Sequence, residues 1–118
     1  MSSGHAWTRR YGAKMYAKIE TWRLAPEIQG DEAYDQFVRA LAHRNTPILR
    51  TYGLLDGFAV RIGPDSMLTL NLYEDAEHAE AAWGEVIVGL SEALKGQLTL
   101  LDRMIGPAVD MPMLLDEV

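Results

Sequence analysis

Residues 15–24, MYAKIETWRL, alternate in character. Tyr16, Lys18, Glu20 and Trp22 fall on one side; Met15, Ala17, Ile19, Thr21 and Arg23 fall on the other. Period two with aromatic and β-branched content predicts a strand. Pro26 and Gly30 break the pattern. From Asp31 to Arg44 the period changes. Tyr34, Phe37, Val38, Leu41 and Ala42 follow i, i+3, i+4, i+7, i+8, the apolar stripe of a helix. Acids near its start and His43 and Arg44 at its end suit the helix dipole. Asn45 and Pro47 are expected to stop it.

Ile48–Tyr52 reads as a short apolar lead into a strand over Leu54–Ile62, with Gly53 and Gly57 marking a bend or bulge. Gly63-Pro64-Asp65-Ser66 is a turn by composition. Met67–Glu74 alternates again, completing a hairpin. Leu68, Leu70 and Leu72 share one face; Met67, Thr69, Asn71 and Tyr73 share the other. Asp75 is placed to cap a second helix, which runs to about Lys95 on the stripe Ala79, Ala82, Trp83, Val86, Ile87, Leu90 and Leu94. Gly96 ends that helix. Gln97–Ile105 is the last strand, expected to end at Gly106-Pro107. The order strand, helix, strand, strand, helix, strand is the split βαβ pattern of an α+β, ferredoxin-like domain. Its antiparallel sheet carries two helices on one face.

Length and composition fit that reading. The chain has 118 residues, 48% hydrophobic and 24% charged, as expected of one globular domain. Residues 15–107 are read as the domain. Residues 1–14 are read as a disordered extension, and 108–118 as an apolar tail docked on the domain or on a second copy. The net charge is −6, although Arg9, Arg10 and Lys14 stand in the first fourteen residues without an acid. An acidic body with no basic stripe argues against nucleic acid and against an anionic membrane surface. No apolar run approaches the ~20 residues of a membrane span, and the N-terminus lacks the apolar core of a secretory signal. A cytoplasmic location is the default. With no cysteine, disulfides and thiolate chemistry are excluded. His5, His43 and His78 lie in separate segments without ligand-like spacing, so no metal site is expected. His78, beside Glu77 and Glu80 in a first helical turn, reads as a solvated polar face.

Three stretches resemble the antibiotic-biosynthesis-monooxygenase-like superfamily of dimeric α/β barrels. These are Met15-Tyr16-Ala17-Lys18-Ile19-Glu20-Thr21 as opening strand, Leu70-Asn71-Leu72-Tyr73-Glu74-Asp75-Ala76-Glu77 as passage into the second helix, and the closing strand with its tail. The resemblance implies a homodimer whose two sheets face each other. The large residues on both faces of Met67–Glu74 agree, because one layer of helices covers only one face.

Some members of that superfamily oxidise aromatic polyketides or quinols with molecular oxygen and no cofactor. The resemblance therefore implies a pocket for a small aromatic or quinone-like molecule. Trp22, Arg61, Asn71, Tyr73 and Trp83 are the candidate lining residues. The alternative is a non-catalytic ligand-binding or interaction module. Trp83 reads first as core, because it lies on the apolar stripe. Asn71 and Tyr73, opposite the Leu triplet, read first as barrel-interface packing. A haem-degrading branch of the superfamily places an Asn on the first strand and a ligating His after the helix Trp. This chain has Glu20 near the first position and no His after Trp83, so haem is not expected.

Overall fold

The computed structural model describes residues 14–82 and 96–115. The expected extension over residues 1–14 falls almost wholly outside the described residues, as do Trp83 and the rest of the second helix to Lys95. The described elements are β1 (Lys14–Leu24), a 3-10 turn (Pro26–Ile28), α1 (Asp31–Thr51), β2 (Leu54–Gly63), β3 (Ser66–Tyr73), α2 (Ala76–Ala82), β4 (Leu98–Val109) and α3 (Met111–Leu115). The strands form one antiparallel sheet in the order β2-β3-β1-β4.

Register decides which side chains share a face, because directly paired residues point the same way. Phe58, Leu70, Ile19 and Met104 form one row across all four strands. Ala59, Thr69, Glu20 and Arg103 form the next, on the opposite face. α1 lies over the second face. Its Phe37 is buried with Leu24, Ile28 and Met67, and Tyr34, Val38, Leu41 and Trp22 pack around them. At the other end of β3, Tyr73 and Leu54 are buried with Ala79 and Ala82 of α2, beside Tyr16 and Leu49.

This corrects the reading of Asn71 and Tyr73 as interface residues. Their side of β3 faces the helices, and the Leu triplet lies on the open face. Alternation separates two faces but does not say which one a helix will cover. The uncovered face is the more apolar: Phe58, Val60, Ile62 and Met104 are each about half exposed. The covered face holds Lys18, Glu20, Thr69 and Asn71.

Two expected stops fail. α1 continues through Pro47 to Thr51, so Ile48–Tyr52 is mainly its last turn and not a lead into β2. Proline removes one N–H and clashes with the preceding turn. Burial of Asn45 and packing of Leu49 against the Tyr73 cluster hold the helix together. Gly53, at φ +87, makes the actual turn, and its N–H donates to the Arg50 carbonyl. β4 likewise runs past Gly106-Pro107 to Val109, with Pro107 paired to Tyr16. An edge strand tolerates proline because one side of its ladder is unpaired. The bulge expected near Gly53 and Gly57 is present as a register shift between Leu54 and Asp56. The Asp75 cap is also present: its Oδ1 accepts from the His78 N–H at 2.9 Å. In the tail, Asp110 caps α3 through Met113 N–H at 3.1 Å. Met111 and Leu115 are about three-quarters exposed.

Candidate functional site

Between α1 and the covered face lies a cavity of about 530 Å³, within the ~300–1,000 Å³ range of small-molecule sites. The two apolar clusters close opposite ends of β3, and the cavity occupies the stretch between them. Its floor is strand-borne: Lys18, Glu20 and Trp22 from β1, Thr69 and Asn71 from β3. Its roof is the helical stripe Val38, Leu41, Ala42, Asn45 and Leu49. Period two on the strands delivers the floor residues together, and period 3.6 delivers the roof.

The floor is hydrogen-bonded in series. Trp22 Nε1 donates to Thr69 Oγ1 at 3.0 Å, and the Thr69 hydroxyl also bonds the Glu20 carboxylate. The second Glu20 oxygen, Oε2, has no hydrogen-bond partner among the described residues. Neither has Asn45 Oδ1 on the roof or the Tyr73 hydroxyl. Glu20 is 2% exposed and Lys18 1%. Buried ionisable groups at such density are rare and costly unless paired. Burial pushes the Glu20 carboxyl up, against the opposing pull of Lys18, Arg103 and the Thr69 hydroxyl. Burial pulls the Lys18 ammonium down, resisted by Glu20. Both therefore shift toward their neutral forms, the expected effect of removing charge from water. Lys18 Nζ lies 5.6 Å from the centre of the Tyr73 ring, a cation–π contact. Tyr73 itself is pushed up to about 12 by burial and by the nearby Glu20.

Asn71 depends on its neighbour across β2. A Cβ on Gly57 would sit 2.8 Å from Asn71 Oδ1, closer than real side chains approach. Gly57 therefore leaves the space that the Asn71 amide fills.

Of the five sequence candidates, the structure brings Trp22 and Asn71 to the cavity. Tyr73 is fully buried in the cluster beside it. Arg61 is elsewhere. It donates to the carbonyls of Gln29 and Pro64 and to Asp31 Oδ1, and its guanidinium stacks over the Tyr34 ring at 4.8 Å. It clamps the β2–β3 turn to the start of α1. Trp83 lies outside the described residues. Sequence reasoning missed Lys18, Glu20, Thr69 and Asn45. One signal was available: Lys18 and Glu20 share a strand face with Tyr16 and Trp22, an odd company for solvent-facing charges.

No protein-family model and no curated protein sequence matches the chain. Solved structures do. HapK from Hahella chejuensis aligns with a TM-score of 0.59 at 16% identity, over 78% of this chain and 90% of that one. SnoaB from Streptomyces nogalater, a cofactor-independent oxygenase, aligns with a TM-score of 0.55 at 14% identity, over 84% and 94%. A dimeric ferredoxin-like protein from an uncultured marine organism aligns at 0.51 and 15%, over 84% and 96%. The fold is ferredoxin-like. It is the fold of antibiotic-biosynthesis-monooxygenase-like proteins, and at these identities the likeness concerns architecture. This ferredoxin-like chain places its cavity between sheet and helix, on the side away from the open apolar face.

Proposed function

We propose that the protein binds a small hydroxylated aromatic molecule in this cavity and oxidises it with dioxygen, without a cofactor. The observation that carries the reading is a cavity of ligand size with buried polar residues on both walls, Lys18 and Glu20 on the floor and Asn45 on the roof. A filled or wholly apolar interior would have favoured a plain binding or interaction module. The chemistry balances for a phenol with a free para carbon. The O–H and para C–H hydrogens leave as water with one oxygen atom of O₂, and the other oxygen becomes the second carbonyl of a quinone. The substrate supplies the electrons. The protein supplies a partly apolar cleft and groups that meet the developing oxyanion.

The reading includes a homodimer paired through the open face. The row Phe58, Val60, Ile62 and Met104 supports it, as does the description of fold neighbours as dimeric.

The test is a titration with a naphthol and a naphthoquinone, followed by intrinsic tryptophan fluorescence, with oxygen uptake measured in parallel. Saturable binding with protein-dependent oxygen uptake is expected. Binding without uptake identifies a ligand-binding module. Absence of binding overturns both.

A further inference from the structure

Among the described residues, Trp22 is the aromatic side chain of the cavity floor. Phe58 is also in the wall, but it stands in the row of the open face. Trp22 is only partly buried, although it packs against a cluster in which Met67 is 0% and Leu24 1% exposed. Its orientation is set across strands. Its direct partner on β3 is Met67, yet its indole N–H donates to Oγ1 of Thr69, the diagonal neighbour, at 3.0 Å. Strand side chains ordinarily stand away from the sheet. A bond to a short hydroxyl close to the backbone draws the indole over along the floor. Thr69 is paired directly with Glu20, and its hydroxyl bonds that carboxyl, so the group that receives the indole N–H is itself held. An indole has one donor and no acceptor. With that donor engaged, it meets a ligand through its ring surface alone.

We infer that Trp22 is the stacking residue of this cavity, selecting a flat, fused aromatic ring system, and that Thr69 is the positioning residue that sets the plane of its indole. The inference rests on the oxidation reading above and deepens it by naming the shape of the substrate. The roof offers Val38, Leu41 and Leu49, alkyl groups that pack on a ring face. A planar two-ring molecule lies between them and the indole in offset contact. A puckered ring of the same carbon skeleton touches the indole over part of its face and loses that contact.

The experiment uses naphthoquinone, naphthol and decahydronaphthol, titrated without oxygen into the native protein, Trp22→Phe, Thr69→Val and Thr69→Ser. The chain has no cysteine, so the quinone finds no thiol to add to. An indole donates electron density and a quinone accepts it, so a stacked pair shows a visible charge-transfer band that neither partner has alone. The native protein is expected to show that band on binding naphthoquinone. It is also expected to bind naphthol about tenfold more tightly than decahydronaphthol, against the larger apolar surface of the saturated rings. In Trp22→Phe, with its fold checked by circular dichroism, the visible band is lost and naphthoquinone affinity falls about tenfold. This variant also separates Trp22 from Trp7 and Trp83, the other tryptophans of the chain. Thr69→Val keeps the shape but removes the acceptor, so the band weakens and affinity falls about threefold; Thr69→Ser restores both. Should Trp22→Phe fail to fold, the native band and its response at Thr69 decide the matter. Quinone binding without a band, or a band and affinity that survive Trp22→Phe, overturns the inference. So does equal affinity for the flat and puckered alcohols. Thr69→Val indistinguishable from the native protein overturns the positioning role. All of these leave the oxidation reading standing. Failure of both naphthol and naphthoquinone to bind overturns the reading itself.

Discussion

The His78 imidazole packs against Gly53: a Cβ on that glycine would lie 2.6 Å from His78 Cδ2. Gly53 also holds φ +87, where an L side chain is strained. One residue thus ends α1 and makes room for the first turn of α2. Gly53→Ala should cost about 1–3 kcal/mol, read as a fall in the denaturation midpoint with an unchanged slope. An unchanged midpoint would show that the imidazole swings away freely.

The same imidazole is tied to the helix cap. His78 Nδ1 lies 2.8 Å from Asp75 Oδ1, which also accepts the His78 backbone N–H. These bonds hold the Asp75 carboxyl below its ordinary 3.8, the backbone N–H contributing most. They hold His78 above its ordinary 6.5, chiefly through the Asp75 hydrogen bond. The depressed carboxyl stabilises above the unfolded value and loses that as pH falls through its folded value. The raised imidazole stabilises below its unfolded value and loses that as pH rises through its folded value. The cap is strongest in the mildly acidic window between them. Asp75→Ala should flatten the pH dependence of stability on the two flanks of that window, checked by urea denaturation below, within and above it. A native-like profile in the variant would refute the assignment.

The two faces of β3 should respond oppositely to substitution. Tyr73 is fully buried under α2, so Tyr73→Ala should cost about 3–5 kcal/mol, as large core truncations do. Phe58 is half exposed on the open face, so Phe58→Asp should leave the protomer folded and abolish self-association, seen by light scattering and circular dichroism. A dimeric Phe58→Asp protein would place the interface elsewhere.

Gly57→Ala should act on the cavity more than on the fold. The new methyl displaces the Asn71 amide, and affinity for a naphthol should fall by about tenfold with a stability change below ~2 kcal/mol. Unaltered affinity would remove Asn71 from the ligand's surroundings.

The Tyr73 phenol, pushed up to about 12, should resist ionisation well above its ordinary 10.0. A phenol raised above its ordinary 10.0 stabilises the fold at lower pH and loses that effect as pH rises through the folded value. Ultraviolet titration should therefore show a late phenolate that is absent in Tyr73→Phe.

These outcomes turn on contacts that the sequence disclosed unevenly. β1, β3 and the first half of α1 follow from period alone, because each pairs a covered side with a contrasting one. Pro47 and Pro107 misled, since a local breaker yields when packing on either side outweighs one lost hydrogen bond. The cavity was half legible. Trp22 and Asn71 were found by residue type, whereas Arg61 proved to be a turn clamp. Glu20 and Lys18 were passed over because charges on alternating strand positions usually mean water. What placed them inside was α1 settling on the polar side of the sheet, a choice made by tertiary packing and invisible to period.

That inverted sheet has a consequence for how the chain tolerates change. Two copies paired by a two-fold axis present the same patch to each other. In the proposed homodimer every substitution among Phe58, Val60, Ile62 and Met104 would enter the contact twice, its effect doubled before any neighbour could compensate. The cavity face, lying within a single protomer, is altered once per site. With that pairing, drift would be restrained most on the side that looks like ordinary greasy surface, and the polar side would be left freer to acquire a new ligand.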